Sequence, residues 1–385
     1  MIRNTSTRST KIAASLLAAA LAGSMCVPAA AFADPSQPID PAGDVMAATS
    51  VKAGSYSVSI SANNRMFKPT EGVLSITKKG ATVSFNHTGY DFVWLGTAEE
   101  YQAAAEAGDV TTDARYIAGE TVTSLNSAGG LKSGCRFTLP VSNLNETFDI
   151  AVYSSSKKQM LDRKICVNCA DKSALVAAAN VKVSVSNAGK LVNDANVVQC
   201  PMAARQVVAT DTNNDGKVSC AEVLAAAGSK FMLDEKALAK SSVIKGDKLV
   251  AKNTKEQVKN GDSIVAFTYA KKGKDSYAAF NNKSAASVKA GKTLSLTLKG
   301  IEAKKANGKN KLTVVKGSKK ITVTCTERFG VDGAAAVQIA SKKLSKKGTV
   351  ALKFDTAGTY VVTAKGKTAK GSTIIAPVCL VTVTE

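Results

Sequence analysis

The amino-acid sequence predicts a mainly β fold, with β-sandwich domains in tandem around one small α+β unit. Short segments alternate Val, Thr, Ile and Ser between clusters of Gly, Asn and Lys, as in YSVSISANN (56–64) and GTYVVTAKG (358–366). This period of two is typical of antiparallel strands. The 385 residues exceed one usual domain. One apolar segment, CAEVLAAAG (220–228), has the composition of a short helix and marks the α+β unit.

The N terminus has the features of a secretory signal peptide. Three basic residues precede an apolar run, Ile12 to Ala22, and small residues at Ala31 and Ala33 predict cleavage after Ala33. Met25 separates Cys26 from the small residues that a lipoprotein signal would place next to it, so we expect no lipid anchor. No later apolar run approaches the roughly 20 residues that span a bilayer. We therefore expect a protein that is secreted, or held at a cell surface by non-covalent contacts.

Composition divides the rest of the chain into four segments. Residues 34–50, which contain three prolines, are predicted to form a linker. Residues 51–171 form an N-terminal β-sandwich. Residues 172–300 contain a hairpin, a loop, a short helix and further strands. Residues 301–385 form a lysine-rich last domain.

Positive charge is concentrated in the C-terminal part. Residues 231–385 hold 30 Lys or Arg against 11 Asp or Glu, a balance of +19, whereas residues 34–230 hold 18 against 19, a balance of −1. Specific nucleic-acid binding is disfavoured because only one of these 30 bases is an arginine and aromatic residues are few. The lysines fit two roles: protection of turns and strand edges, or adhesion to anionic cell-wall or host surface polymers.

The segment DTNNDGKVSCAE (211–222) has the spacing of a calcium loop. Calcium takes six to eight oxygen ligands, which requires several carboxylates on one tight segment. Position six is Gly216, which permits the sharp turn, and the segment resembles the calcium loop of EF-hands and dockerin-type modules. The alternative is an Asx-rich turn that binds no metal. The predicted Ca²⁺ ligands are Asp211, Asn213, Asp215, Lys217 through its carbonyl, Ser219 through a water, and Glu222.

We expect the calcium to be structural. EF-hands and dockerins usually pair two loops, and sensors open a groove between paired helices, but the sequence holds no second loop of this kind. The residues before the loop, QCPMAARQVVATD (199–211), are compatible with either a short helix or a strand.

Seven cysteines remain after the leader, and disulfides are the default in an exported protein. Cys325 and Cys379 lie in strand-like segments of the last domain, and we expect them to form a bridge between the two sheets of a sandwich. The partners of the others stay open: Cys135, Cys166, Cys169, Cys200 and Cys220. The CVNC motif (166–169) lacks the βαβ context of a thiol-redox site.

The N-terminal unit contains SYSVSISANNRMFKPTEGVLSITKKGATVSF (55–85), GYDFVWLGTAEEYQAAA (89–105) and FTLPVSNLNETFDIAVYSSSKKQMLDRKICV (137–167). Over about 115 residues this is similar to secreted NEAT-like domains, which fold like immunoglobulins. The resemblance implies haem or iron capture as an alternative function, since true members use a Tyr-x-x-x-Tyr pair on the penultimate strand. That pair is missing: Tyr153 lies too early, and Met160 is the conceivable substitute.

Two weaker resemblances concern the other units. VKNGDSIVAFTY (258–269) resembles the strand entry of β-grasp repeats in bacterial surface proteins, which implies a β-grasp-like unit. GTVALKFDTAGTYVVTAKG (348–366) resembles a bacterial Ig-like domain.

The sequence offers little for catalysis. His87 is the only histidine and has no acid or nucleophile at a meaningful spacing, so we expect a structural role. Five large apolar residues of the N-terminal unit are expected in its core, with a binding lip as the alternative: Met66, Phe67, Tyr90, Phe92 and Trp94. We find no zinc-protease, nucleophile-elbow or phosphate-loop motif. The sequence therefore predicts a calcium-binding adhesion protein that is not an enzyme, and it carries no signal of oligomeric state.

Overall fold

The computed structural model describes most of the chain after residue 37. Strands predominate over helices, so the predicted mainly β fold is confirmed. The predicted leader, 1–33, and Cys200 lie outside the described residues. No described helix is long and apolar enough to cross a bilayer. The described residues are 38–125, 131–154, 157–191, 205–231, 234–246, 248–250, 255–271, 274–280, 285–302, 313–315, 320–327 and 338–384.

Two five-stranded sheets pack face to face at the N-terminal end. The strands of this unit, which also include a separate two-stranded pair, are β1 (Met46–Ala47), β2 (Gly54–Ser57), β3 (Ser59–Ala62), β4 (Thr70–Thr77), β5 (Gly80–His87), β6 (Phe92–Leu95), β7 (Tyr116–Ala118), β8 (Glu120–Leu125), β9 (Leu131–Pro140), β10 (Asn143–Leu144), β11 (Thr147–Ser154) and β12 (Gln159–Asn168). The sheet orders are β2-β4-β5-β9-β8 and β3-β12-β11-β6-β7, and β1 pairs with β10. Alternation places Val83 and Phe85 in the core, and it turns Ser84 and Asn86 to the opposite face of the first sheet.

A helix that the sequence analysis did not anticipate, α1 (Ala98–Ala107), covers the second sheet of this sandwich. It begins with a capping box: Thr97 accepts a hydrogen bond from the Glu100 N–H, and the Glu100 carboxylate accepts one from the Thr97 N–H. Tyr101 packs edge-on against the buried Trp94. The helix therefore closes the outer face of the β11–β12 hairpin.

The predicted linker, 34–50, is wrong in its second half. Met46 and Ala47 form β1 and pair with Leu144 and Asn143 of β10. Ala48 is fully buried in the core of the sandwich. Backbone pairing and apolar burial order these residues. The three prolines nearby favour a linker in the sequence and give no sign of this pairing.

The middle unit is a mixed sheet with helices on one face. Its elements are β13 (Ala178–Asn187), β14 (Lys190–Leu191), β15 (Arg205–Thr210), β16 (Val218–Ser219), α2 (Cys220–Phe231), α3 (Glu235–Ala239), β17 (Ser242–Lys245), β18 (Lys248–Val250), β19 (Gln257–Val258) and β20 (Ser263–Phe267). The order is β15-β13-β20-β17-β18, with β13 and β20 parallel and the other pairs antiparallel. Val223, Leu224 and Ala227 of α2 pack into the core against this sheet. Residues 205–210 thus form a strand, not a helix.

The C-terminal unit is a second sandwich. Its strands are β21 (Ser276–Phe280), β22 (Ala285–Lys289), β23 (Thr293–Glu302), β24 (Thr313–Val314), β25 (Ile321–Glu327), β26 (Gln338–Lys343), β27 (Thr349–Lys353), β28 (Gly358–Gly366) and β29 (Val378–Thr384). One sheet has the order β22-β29-β28-β25-β26, and β23 pairs with β21, β24 and β27 in the other. Phe280, Leu296, Phe354 and Val381 share the core between them.

The predicted boundary between residues 300 and 301 falls inside β23, so it is misplaced. β21, β22 and β23 all pair with strands of the C-terminal sandwich, and Phe280 belongs to its core. The sandwich therefore begins at Ser276. Its contact with the middle unit is apolar: Phe267 and Ile244 pack against Tyr277 and Ile375.

The predicted bridge between Cys325 and Cys379 is contradicted by the strand register. Cys325 of β25 and Cys379 of β29 both pair with Val362 of the intervening β28. The two cysteines therefore lie in the same sheet, two strand spacings or about 9–10 Å apart, whereas a disulfide requires Cα atoms within about 4.4–6.8 Å. No disulfide joins the described cysteines.

We predict that Cys325 and Cys379 are thiols in the native protein and resist alkylation. Burial raises the pKa of Cys325 to about 12, with a further contribution from Cys379, so little thiolate is present near pH 7.5. Peptide mass spectrometry of unreduced protein, treated with iodoacetamide before or after guanidinium unfolding, should show both labelled only after unfolding. A Cys325–Cys379 cross-linked peptide would contradict this register.

Candidate functional site

The segment 211–222 folds into a closed loop around the Asp211 side chain. Asp211 directly follows β15 and is only 5% exposed. Its two carboxylate oxygens accept hydrogen bonds from the backbone N–H groups of Asp215 (3.2 Å) and Gly216 (2.7 Å). Because one side chain accepts hydrogen bonds from two backbone positions across the loop, the turn is held by the protein's own groups.

Two further short-range hydrogen bonds shape the loop. The Asn213 side chain accepts from the Asp215 N–H at 3.0 Å, and the Asp215 carboxylate accepts from the Lys217 N–H at 3.0 Å. Asn214 and Gly216 take left-handed backbone conformations, with φ of 56° and 79°, which Asn and Gly adopt most readily. The spacing of Asx residues in the sequence therefore produces successive turns that direct side-chain oxygens inward.

The Glu222 carboxylate links the two ends of the loop. One oxygen accepts from the Thr212 N–H (2.7 Å) and hydroxyl (2.9 Å), and the other accepts from the Ser219 N–H (2.8 Å) and hydroxyl (3.0 Å). Ser219 in return accepts from the Glu222 N–H at 3.3 Å, which completes a capping box for α2. Burial raises the pKa of Glu222, but these hydrogen bonds outweigh it and leave the pKa below its usual value.

The loop exit is anchored to another segment of the middle unit. Val218 and Ser219, which form β16, pair with Val258 and Gln257 of β19. The Cys220 N–H donates to the Glu256 carbonyl at 2.9 Å. The loop thus connects the end of the first hairpin, the start of α2 and the segment that leads into β20.

The residues fit calcium by their chemistry. They supply hard oxygens from two Asp, one Asn, one Glu, one Ser and a backbone carbonyl, a set suited to calcium. Among the described residues, no three His, Cys, Asp or Glu side chains stand together in the arrangement of a metal site. A carboxylate has about four lone-pair sites; Asp211 uses two of them and Asp215 one in these hydrogen bonds, whereas Glu222 uses all four. Coordination of a cation by Glu222 would therefore have to replace hydrogen bonds from Thr212 or Ser219.

Sequence analysis missed Thr212 and the β19 strand as parts of this site. Thr212 donates hydrogen bonds from its N–H and hydroxyl to the Glu222 carboxylate. Position two of such a loop has no characteristic residue type, so the sequence gives no signal for this role. Pairing of β16 with β19 joins residues about 40 positions apart and has no local sequence signal.

The residues considered for haem are packed in the sandwich. Met160, 8% exposed, lies opposite Tyr153 in the β11–β12 hairpin, and both pack with Trp94 and Tyr101 under α1. A ligand on this face would have to displace the helix. This packing gives haem capture no support.

The other N-terminal candidates are mostly structural. Phe67 and Trp94 are buried, as expected of core residues, whereas Met66 is 68% exposed. His87 is buried and packs against both Phe67 and Tyr90, with ring centroids 4.5 and 4.8 Å away. These contacts agree with a structural role for the histidine.

The CVNC motif does not present a reactive thiol. Cys166 lies in β12 and Cys169 follows it, and both are buried. Burial raises the pKa of each thiol, which is the reverse of what a redox nucleophile requires.

The lysines of residues 341–348 occupy a sheet edge. β26 is the outer strand of its sheet, and Lys342, Lys343, Lys346 and Lys347 are exposed there and in the turn that follows. Charged side chains on an edge strand oppose pairing with other chains. This arrangement is therefore compatible with lysines that protect the sheet edge from pairing with other chains. The same exposed charges are also accessible to an anionic partner.

Comparisons with known proteins show no family for this chain. No protein-family model and no curated protein matches it. Structures that align with it include fibronectin(III)-like modules of CbhA from Clostridium thermocellum, with 9% identity over 54% of this chain and 94% of that chain and a TM-score of 0.19.

Two further structures align over more of the chain. The three N-terminal domains of the bacteriophage RB49 outer capsid protein Hoc show 9% identity over 86% of this chain and 99% of theirs, with a TM-score of 0.18. A structure concerned with Dscam isoform specificity shows 8% identity over 81% and 79%, with a TM-score of 0.15. Scores this low establish no shared fold, so the description of the fold rests on the sheets themselves.

We predict that haemin titrated into the chain from Asp34 to Glu385 produces no saturable Soret band, because α1 covers the face that holds Met160. Met160→Ala should be compared with Met66→Ala, which truncates an exposed methionine of the same unit. Absorption changes from non-specific haemin should be equal in both. A saturable band that is lost in Met160→Ala and kept in Met66→Ala would contradict the prediction.

Proposed function

We propose that this chain is an exported binding protein whose middle unit is stabilised by one calcium ion. The ion would be held by Asp211, Asn213, Asp215, Glu222, the Lys217 carbonyl and a water on Ser219. The observation that carries the proposal is the closed loop, in which Asp211 and Glu222 hold the two ends together through backbone hydrogen bonds.

The position of the loop supports a structural role for the ion. The loop connects β15 to α2, and β16 within the loop pairs with β19, about 40 residues further along the chain. A single bound cation would therefore restrain all three elements. The apolar side chains of α2 are already buried in the core of the unit. A calcium sensor would need the apolar surface of α2 to become exposed. A structural ion that stays bound is therefore the better interpretation.

The strand order of the middle unit supports the β-grasp-like interpretation. The first and last strands, β13 and β20, are adjacent and parallel, and each has an antiparallel neighbour on its outer side. The helix that follows the loop packs across one face of this sheet. In such a unit the calcium loop joins the hairpin to the helix.

The binding surface that we propose is the lysine-rich part of the C-terminal sandwich. Its edge strand and the following turn expose four lysines, Lys342, Lys343, Lys346 and Lys347. A surface of one sign attracts polymers of the opposite sign over a distance set by the ionic strength. The proposed partners are therefore anionic polymers of a cell wall or a host surface.

We predict one-site calcium binding with a Kd of about 10⁻⁵ to 10⁻³ M. Calcium at about 100 times its Kd should stabilise the native state by about 2.7 kcal/mol and raise the melting temperature relative to chelator. Calorimetry and thermal melting of the chain from Asp34 to Glu385 measure both effects.

The double variant Asp215→Ala with Glu222→Gln should lose binding and the thermal shift. Asp355→Ala with Glu235→Gln makes the same chemical changes at exposed positions outside the loop and should behave as the parent protein. Absence of calcium binding at millimolar calcium, or binding that survives in the loop variant, would contradict the calcium site.

We predict salt-sensitive retention on an immobilised anionic polymer, poly(glycerol phosphate). Binding measured by surface plasmon resonance should fall steeply between about 0.05 M and about 0.5 M NaCl, because the Debye length shortens severalfold. Changing Lys342, Lys343, Lys346 and Lys347 to Gln should weaken retention at low salt.

The matched control changes four exposed lysines of the N-terminal sandwich to Gln: Lys78, Lys79, Lys157 and Lys158. This variant has the same net charge as the first but keeps the C-terminal lysines, so its retention should match the parent protein. Equal losses in both variants would show that overall charge, not this edge, attracts the polymer.

A further inference from the structure

A polar cleft of about 220 Å³ separates the N-terminal sandwich from the middle unit. On one side lies the outward face of the β2-β4-β5-β9-β8 sheet, and on the other lies the face of β13 and β15 opposite to the helices. Among the described residues, no apolar side chain lines it. The lining residues are Ser75, Thr82, Ser84, Glu120, Arg136, Thr138, Asn180, Lys182, Gln206, Asn260 and Gly261.

The sandwich wall is a hydrogen-bonded polar surface. Ser84 and Thr138 lie opposite each other on β5 and β9, with their hydroxyl oxygens 2.8 Å apart. Arg136, 4% exposed, donates from Nη1 to Asn86 Oδ1 at 2.8 Å. Burial lowers the pKa of Arg136 to about 10, partly offset by Glu71 and Glu120, so its charge is retained at neutral pH.

The opposite wall has hydrogen-bonding capacity that the described residues do not use. Asn180 and Gln206 share one hydrogen bond, from Nδ2 to Oε1 at 2.9 Å. The Gln206 Nε2 group and the Asn180 Oδ1 atom are buried and have no partner among the described residues. If the oxygen and nitrogen of both side-chain amides were exchanged, Gln206 would donate to Asn180 instead. In either orientation one amide N–H₂ group and one amide oxygen remain without a partner among the described residues.

Two contacts tie the walls together at the cleft. Lys182 of β13 forms a 2.8 Å ion pair with Glu120 of β8. Asn260 donates to the Ser75 hydroxyl at 3.1 Å and accepts from the Asn180 N–H at 3.0 Å. These contacts hold two polar sheet faces at a fixed separation with space between them.

The lining defines the chemistry of a suitable ligand. Apolar ligands are excluded, since pockets for them are lined mainly by hydrophobic and aromatic side chains. Hydroxyl and amide groups both donate and accept, which suits a molecule with several hydroxyls. The ionised lining groups are two cations, Arg136 and Lys182, and one anion, Glu120. Lys182 is paired with Glu120, and Glu71, outside the lining, lies close to Arg136.

We propose that this cleft binds a small hydroxylated carboxylate of the size of one sugar acid. The unused amide groups of Gln206 and Asn180 contact its hydroxyls, and the two cations of the lining, Arg136 and Lys182, attract its carboxylate. The site uses none of the six calcium ligands and none of the C-terminal lysines, so it goes beyond the function proposed above.

Filling by water alone is the competing explanation. A polar cavity of about 10–15 Å³ is enough for one water molecule, and this cleft is far larger. Water would satisfy Gln206 and Asn180 without any selectivity for solutes. The two explanations differ in whether a sugar acid binds more tightly than either of its two parts.

Calorimetric titration of the chain from Asp34 to Glu385 with sodium glucuronate tests the site. We expect saturable one-to-one binding with a Kd of about 1 mM or below. Glucose, which lacks the carboxylate, and acetate, which lacks the hydroxyls, should each bind at least about tenfold more weakly.

Gln206→Leu should weaken glucuronate binding at least about tenfold, because the substitution keeps a side chain of similar size but removes its amide hydrogen-bonding groups. Gln338→Leu makes the same change on the exposed edge strand β26 and should bind as the parent protein does. If Gln206→Leu lowers the melting temperature, Thr138→Val provides a second test. It removes one hydroxyl from the sandwich wall of the cleft and should also weaken glucuronate binding.

Three results would overturn the proposal: no saturable heat at about 20 mM glucuronate, acetate binding as tightly as glucuronate, or unchanged binding in both cleft variants. Calcium binding measured on the same samples is independent of the cleft. A failed sugar-acid titration with intact calcium binding would therefore remove the cleft site and leave the proposed function standing.

Discussion

The middle unit depends on the hydrogen bonds that the Glu222 carboxylate accepts from Thr212 and Ser219. These bonds connect the end of β15 to the first turn of α2, and β16 connects the same point to β19. A buried carboxylate with several N–H and O–H donors is far better stabilised than one in an apolar site. A calcium ion at this position would replace part of that hydrogen bonding with direct charge neutralisation while it kept the same three elements together.

The three units meet through two kinds of interface. Between the middle unit and the C-terminal sandwich, Phe267, Ile244, Tyr277 and Ile375 form an apolar contact. Between the middle unit and the N-terminal sandwich, two polar sheet faces enclose a cleft. Apolar contacts exclude water and fix orientation, whereas a polar interface retains hydrogen-bonding groups that can serve a ligand. The chain therefore has an apolar contact on one side of the middle unit and, on the other, the polar cleft that we propose as a recognition site.

Local patterns predicted several elements correctly and failed where pairing between distant residues decided the outcome. The period of two indicated the strands, and CAEVLAAAG indicated α2. The Thr97 and Glu100 capping box is the local signal for α1, whereas the alternating apolar residues around it favour strands. The linker and the boundary near residue 300 were misplaced because β1 and β21 become ordered only through pairing with β10 and β23.

The sequence by itself determined the mainly β fold, the position of the calcium-type loop and the charge asymmetry, since each depends on residue type at short, regular spacing. Tertiary structure alone decided that Cys325 and Cys379 lie in one sheet, that Met160 is covered by α1, and that Gln206 and Arg136 line the same cleft. Each of these depends on register and on the packing of units, in which residues far apart in the chain become neighbours. Such neighbours leave no periodic trace in a single sequence.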